Sequence, residues 1–117
     1  MAEHIRLGRR AEASAREFLK QHGYLIIAER YRWRSGEIDL IAREANCLVF
    51  IEVKSRSNHS HGLPEEAITP KKRRKLVLTA QCYLLDHPTN LDTRFDVVAL
   101  SQGKLRLYKN AFGLSDF

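Results

Sequence analysis

The sequence predicts a mixed α/β fold, and three observations carry that prediction. Residues 3 to 22 repeat their apolar and small side chains at helical spacing, the stretch from Tyr24 to Lys54 reads as successive β segments, and Thr69-Pro70 opens a second helix before a final β pair. At 117 residues the chain can bury a core and suits one domain, residues 1–117, rather than two.

In the first helix Gly8, Ala11, Ala15, Phe18, Leu19 and His22 share one side, and Gly23 supplies the stop. Tyr24 to Arg34 then alternates, with Arg30, Arg32 and Arg34 on one face and Tyr31 and Trp33 on the other, until Gly36 interrupts it. Segments 37–42 and 48–54 read as two strands joined by a short polar link, Glu44 to Cys47, while Ser55 to Leu63 has the composition of a loop. Thr69 suits an N-cap and Pro70 the first helical position; Leu76, Val77, Ala80, Tyr83 and Leu84 form the buried stripe of a helix ending near Leu85. Segments 94–100 and 104–109 turn through Ser101-Gln102-Gly103, and the last residues, from Ala111, are too few to assign.

Charge points to an anionic partner. Twenty Lys and Arg against 14 Asp and Glu leave a net +6 and a pI near 9.6, the balance of many nucleic-acid-binding domains. Cys47 and Cys82 have neither metal-binding nor disulfide-framework spacing, the N-terminus lacks an apolar leader, and no run approaches the roughly 18 apolar residues of a membrane helix. The expectation is a cytoplasmic protein with no membrane partner.

The chemistry concentrates in Leu48 to Ser55, an apolar strand interrupted by Glu52 and Lys54. Alternation puts Leu48, Phe50, Glu52 and Lys54 on one face and Val49, Ile51 and Val53 on the other. In the preceding strand it puts Glu37, Asp39 and Ile41 together, opposite Ile38 and Leu40. A link at 44–47 sets Asp39 directly across from Glu52, about 4.5–5.5 Å away on the same face. Slipping the register by one would set Asp39 against Ile51 and bury it unpaired, which costs more. Opposed carboxylates need a cation. Lys54 supplies one charge, and a divalent metal in oxygen coordination would supply two. On the first helix Glu12 falls on the apolar side, about 60° from Ala15 at roughly 100° per residue. A lone glutamate there ordinarily caps an arginine at the boundary; near Asp39, Glu52 and Lys54 it becomes a candidate for the same site.

These residues resemble a known family. Ala-Glu at 11–12, Gly-Tyr at 23–24, Gly-Glu-Ile-Asp-Leu-Ile at 36–41, Phe-Ile-Glu-Val-Lys-Ser-Arg at 50–56 and Arg-Phe-Asp-Val-Val at 94–98 closely resemble the YraN family of small bacterial proteins over nearly the whole chain. That family is similar to the restriction-endonuclease-like superfamily, archaeal Holliday-junction resolvases among them. The resemblance implies a central mixed β-sheet flanked by helices and a nuclease dependent on magnesium or manganese. The superfamily's proline before the first aspartate is replaced here by Ile38. On this reading Asp39 and Glu52 hold the metal with the Val53 carbonyl as a further ligand, and Lys54 positions water and offsets phosphate charge. Glu12 would ligate a second metal or hold a metal-bound water, and Gln81 is a weaker candidate for a phosphate or water contact.

The basic run Lys71-Lys72-Arg73-Arg74-Lys75 sits in the first turns of a helix, where the dipole disfavours cations. With Arg30, Arg32 and Arg34 it forms a candidate nucleic-acid track. His59 and His61 lack further ligands at zinc spacing and read as loop residues. The partner expected is nucleic acid, DNA before RNA, with branched DNA as one substrate class; a homodimer stays open. Two alternatives remain: a catalytically silent binding module on the same scaffold, and a purely structural ion-pair cluster at Asp39, Glu52 and Lys54.

Overall fold

The computed structural model describes residues 2–34, 36–56 and 68–112, so His59 and His61 lie outside the described residues. The elements are α1 (Ala2–Gln21), β1 (Leu25–Trp33), β2 (Gly36–Glu44), β3 (Cys47–Arg56), α2 (Pro70–Asp86), β4 (Asp92–Ser101) and β5 (Lys104–Phe112). Gly23 ends α1 at φ 87°, a left-handed turn in which the Tyr24 amide donates back to the Leu19 carbonyl at 2.9 Å. Thr69 caps α2, its hydroxyl accepting from the Lys72 amide at 3.2 Å, and Pro70 occupies the first turn without losing a hydrogen bond.

The five strands lie in the order β1-β2-β3-β4-β5. Neighbours are antiparallel except β3 and β4, which run parallel, with α2 between them in sequence. One face of the sheet packs Ile38, Ile41, Leu48, Phe50, Phe95 and Val97 against Leu76, Val77, Ala80 and Tyr83 of α2. The other packs Leu40, Ala42, Val49, Ile51 and Val98 against Ala15 and Leu19 of α1. The fold is thus a mixed sheet flanked by two helices, the arrangement the resemblance implied. Both faces of β3 are core, so Glu52 points under α2 and is only 5% exposed, not outward from a one-sided sheet.

Two features depart from the sequence reading at residues with a left-handed backbone. Alternation in β2 breaks between Ile38, which faces α2, and Leu40, which faces α1. Arg30, between the paired residues Glu29 and Tyr31 of β1, has φ 52°, so both strands switch faces at that level. β5 runs on to Phe112, past the residues left unassigned, because Asn110 at φ 54° forms an irregularity that returns Phe112 to stack on Phe95 at 4.5 Å.

Two of the quoted motifs turn out to hold the sheet together. Asp96 is fully buried, yet it accepts from Tyr24 Oη at 2.7 Å, Arg94 Nε at 2.9 Å and the Asn110 amide at 2.9 Å. Arg94 also reaches Glu44 at 2.6 Å, and Lys109 meets the other oxygen of Glu44 at 2.7 Å. A buried carboxylate is tolerable when its lone pairs are filled in this way.

Gly36 opens β2 where α2 presses closest. A Cβ there would collide with the Thr79 hydroxyl, which is itself fixed by donating to the Lys75 carbonyl at 2.7 Å. Gly36→Ala should therefore cost about 1–3 kcal/mol, the usual range for overpacking. Adding Thr79→Ala should recover part of that loss in urea unfolding, and strictly additive effects would show that the two do not meet.

Candidate active site

The site is built where β2 and β3 part. Their ladder pairs Glu44 with Cys47 and continues to Leu40 with Ile51, the register expected from the sequence. One step further stand Asp39 and Glu52. There the Val53 amide donates to Asp39 Oδ2 at 2.8 Å, so a side chain takes a main-chain donor. Asp39 lies close enough to Glu52 for their carboxyls to hydrogen-bond. Burial first, and the Glu52 charge second, push the Asp39 carboxyl well above the ordinary carboxylate range.

Two lysines answer this charge in different ways. Lys72, from the first turn of α2, places Nζ 2.6 Å from Glu52 Oε2. Burial pulls its pKa down, but Glu52 outweighs that and the net shift is upward. Lys54, two residues along β3, is half-buried; burial and then the neighbouring Lys72 lower its pKa against the pull of Glu52 and Asp39. The two lysines are thus shifted in opposite directions, Lys72 upward by its contact with Glu52 and Lys54 downward by burial. The sequence had grouped Lys72 with the phosphate-binding run. The signal for its second role was already there, because a cation in a helix's first turn is unfavourable unless an anion faces it.

Among the described residues, no group of three or more His, Cys, Asp or Glu side chains converges to hold a metal ion. Two carboxylates, a strand carbonyl such as that of Val53, and water still form a donor set that suits magnesium, which retains several waters and needs one or two carboxylates.

A family model, the uncharacterised protein family UPF0102, matches residues 11–100. The chain belongs to the UPF0102 (YraN) family. A UPF0102 protein of Lachnoclostridium phytofermentans is 50% identical over 86% of this chain and 87% of its own length. That of Symbiobacterium thermophilum is 45% identical over 92% and 96% respectively, and that of Saccharophagus degradans 38% identical over 99% and 100%. The UPF0102 match takes in the fork where Asp39, Glu52 and Lys54 stand together, as well as Glu12 and the basic start of α2.

Several candidates sit elsewhere than expected. Glu12 accepts from Arg30 Nε at 2.9 Å, so it is the boundary residue that caps an arginine, although its charge is still felt at Asp39. Arg30 therefore turns toward α1 and leaves the proposed comb. Arg32 pairs with Glu37 at 3.0 Å, and Arg34 lies 4.8 Å over the Trp33 ring. Tyr31 packs edge-on against Tyr83 at 5.1 Å, on the α2 side of the sheet. Arg73 turns inward, donating to the Ile68 carbonyl and lying 5.5 Å over the Phe112 ring, whereas Lys71, Arg74 and Lys75 are exposed. Gln81 is exposed and away from the fork. Nine residues past Lys72 put it half a turn round α2 and about 13 Å further along.

A raised carboxyl pKa costs stability above the unfolded value near 4, and the cost grows with pH up to the folded value. Asp39→Asn keeps an acceptor for the Val53 amide and removes that cost. In EDTA at pH 7.5 the variant should unfold about 1–2 kcal/mol above wild type, and the gap should close near pH 4. A gap that persists at pH 4, or reverses at pH 7.5, would contradict the arrangement of the fork.

Proposed function

We propose that this protein is a metal-dependent nuclease that hydrolyses phosphodiester bonds in nucleic acid, DNA before RNA. The observation that carries this reading is the fork itself: Asp39 and Glu52 set against each other, with Lys54 beside them. A structural carboxylate pair would be neutralised or fully hydrogen-bonded, as Asp96 is. Among the described residues Asp39 meets no arginine and takes one main-chain amide, and burial beside Glu52 pushes its pKa up, the setting in which a divalent cation would be favoured.

Asp39 and Glu52 would hold the ion, with the Val53 carbonyl completing the protein's share. A divalent cation there supplies a bound water of lowered pKa and offsets charge building on the phosphate. Lys54, whose pKa burial lowers, would orient the attacking water and accept its proton as the water oxygen bonds to phosphorus. The ester bond to the sugar oxygen breaks in the same displacement, and that oxygen leaves protonated from solvent. Lys71, just before Lys72, and Lys75, one turn after it, are exposed and suited to the phosphates on either side of the one attacked.

One observation favours a second reading, a binding module without turnover: Lys72 already supplies Glu52 with a cation. Two experiments separate the readings. In the first, wild type and Lys54→Ala are incubated with magnesium or manganese and a panel of linear, single-stranded and branched DNA and RNA, alongside thermal unfolding with and without metal. A nuclease predicts metal stabilisation of both proteins by mass action, and cleavage lost by about 100-fold or more only in the variant. A wild type that gains no stability from metal and cuts nothing would end the nuclease reading. The second is Lys72→Met, which should bind manganese at least as tightly as wild type if the ion and Lys72 compete for Glu52. If Lys72 is instead the permanent counter-ion, the variant should lose roughly 3 kcal/mol that metal does not restore.

A further inference from the structure

Beside the turn end of the β1–β2 hairpin the surface carries a recess of about 280 Å³, lined by Trp33, Arg34, Gly36, Lys75, Leu78 and Thr79. Its chemistry is uneven in a telling way. The walls combine an indole, a guanidinium lying 4.8 Å over that indole, an ammonium, and a leucine left 48% exposed, with no carboxylate among the lining residues. Aromatic and apolar walls flanked only by cations fit a flat, π-faced ring that carries a negative charge. A paired base inside a duplex cannot present its face to such walls, whereas an unpaired one can stack on indole and guanidinium planes. The volume is below the range of pockets that enclose a whole ligand and matches partial seating of a base.

Position along the sheet connects the recess to the fork. Gly36 forms its floor and stands three residues from Asp39 on β2, about 10 Å at strand rise. That distance is about three base steps at 3.4 Å each. Lys75 stands one helical turn after Lys72 on α2, so the cation that meets Glu52 and the cation at the recess lie along one ridge.

We infer that the recess formed by Trp33, Arg34, Lys75 and Leu78 seats an unpaired nucleotide, so that the preferred nucleic acid has single-stranded character within a few nucleotides of the fork. The inference rests on the nucleic-acid reading above but not on turnover, and its test is run without metal. Trp33 is the only tryptophan in the chain, so its emission reports the recess directly. In EDTA, a short oligothymidylate should change Trp33 fluorescence saturably, and a blunt duplex of equal phosphate number should do so about tenfold more weakly, the low end of a stacking contribution. Leu78→Gln and Lys75→Gln, both at exposed positions, should each weaken the response several-fold while thermal unfolding is unchanged. Trp33→Ala should weaken oligothymidylate binding about tenfold by fluorescence anisotropy of a labelled strand.

An unchanged tryptophan signal, an equal response to the duplex, or indifference to Leu78→Gln would overturn the inference. Cleavage of a blunt duplex as fast as a gapped one would also overturn it while leaving the nuclease standing. A tryptophan response without metal-dependent cleavage would leave the recess standing and remove the enzyme.

Discussion

Two carboxylates held face to face on neighbouring strands are the constraint around which this molecule is arranged. Asp39 and Glu52 follow the last paired step of the β2–β3 ladder, and each nearby irregularity relates to them. Asp39 takes the Val53 amide, Lys72 reaches down from α2 to Glu52, and Lys54 flanks both. Arg30 adopts a left-handed backbone at the level of Asp39 and carries its charge to Glu12. A β-sheet does not gather that much charge at a core position for stability alone, because each buried ion costs several kcal/mol before its partner offsets any of it.

The same sheet contains its own control. Asp96 is more deeply buried than either fork carboxylate, yet Tyr24, Arg94 and the Asn110 amide fill its lone pairs, and Arg94 is shared onward with Glu44. That cluster is closed: every member points at another, and each distance is that of a sound charge-assisted bond. The fork is open. Burial and the facing Glu52 raise the proton affinity of Asp39, and the nearest cations are two lysines rather than a bidentate arginine. A closed network specifies structure, and it is the open one on which the proposal of a bound metal rests.

The strands, helices and their order were legible because apolar spacing and end signals agreed: Gly23 after α1, Thr69-Pro70 before α2, the short link at 44–47. The register of Asp39 against Glu52 was legible because the alternative would have buried a charge against Ile51. What escaped was non-local. Alternation alone could not foresee that β1 and β2 switch faces at Arg30 and Asp39, so the arginine comb was drawn from a periodicity that the backbone breaks there. Nor could it show that Gly36 is required by the approach of Thr79 from α2, a contact 43 residues away in sequence. The Arg-Phe-Asp motif carried no local sign of its purpose, because Tyr24 lies 70 residues or more from Arg94 and Asp96.

Topology accounts for why cations and carboxylates meet at this end of the sheet. β3 and β4 run parallel, so the chain leaving β3 must cross back over one face before β4 begins, and α2 makes that crossing. Its N-terminus is thereby brought to the carboxyl end of β3, where Glu52 and Lys54 lie. The positive end of the helix dipole arrives with it, although Pro70 carries no amide hydrogen and the Lys72 amide is taken by the Thr69 hydroxyl. In open α/β sheets this is the end where ligands bind, because helix N-termini converge there and no side chain of the crossover need cover it. An isolated helix would disfavour five basic residues in its first turns. Here Lys72 has Glu52 to face, and its neighbours gain a use only if a polyanion lies alongside the fork. The unfavourable placement of those charges and the unfavourable placement of the two carboxylates are therefore one problem, and the metal-bound phosphate backbone proposed above as the partner would resolve both.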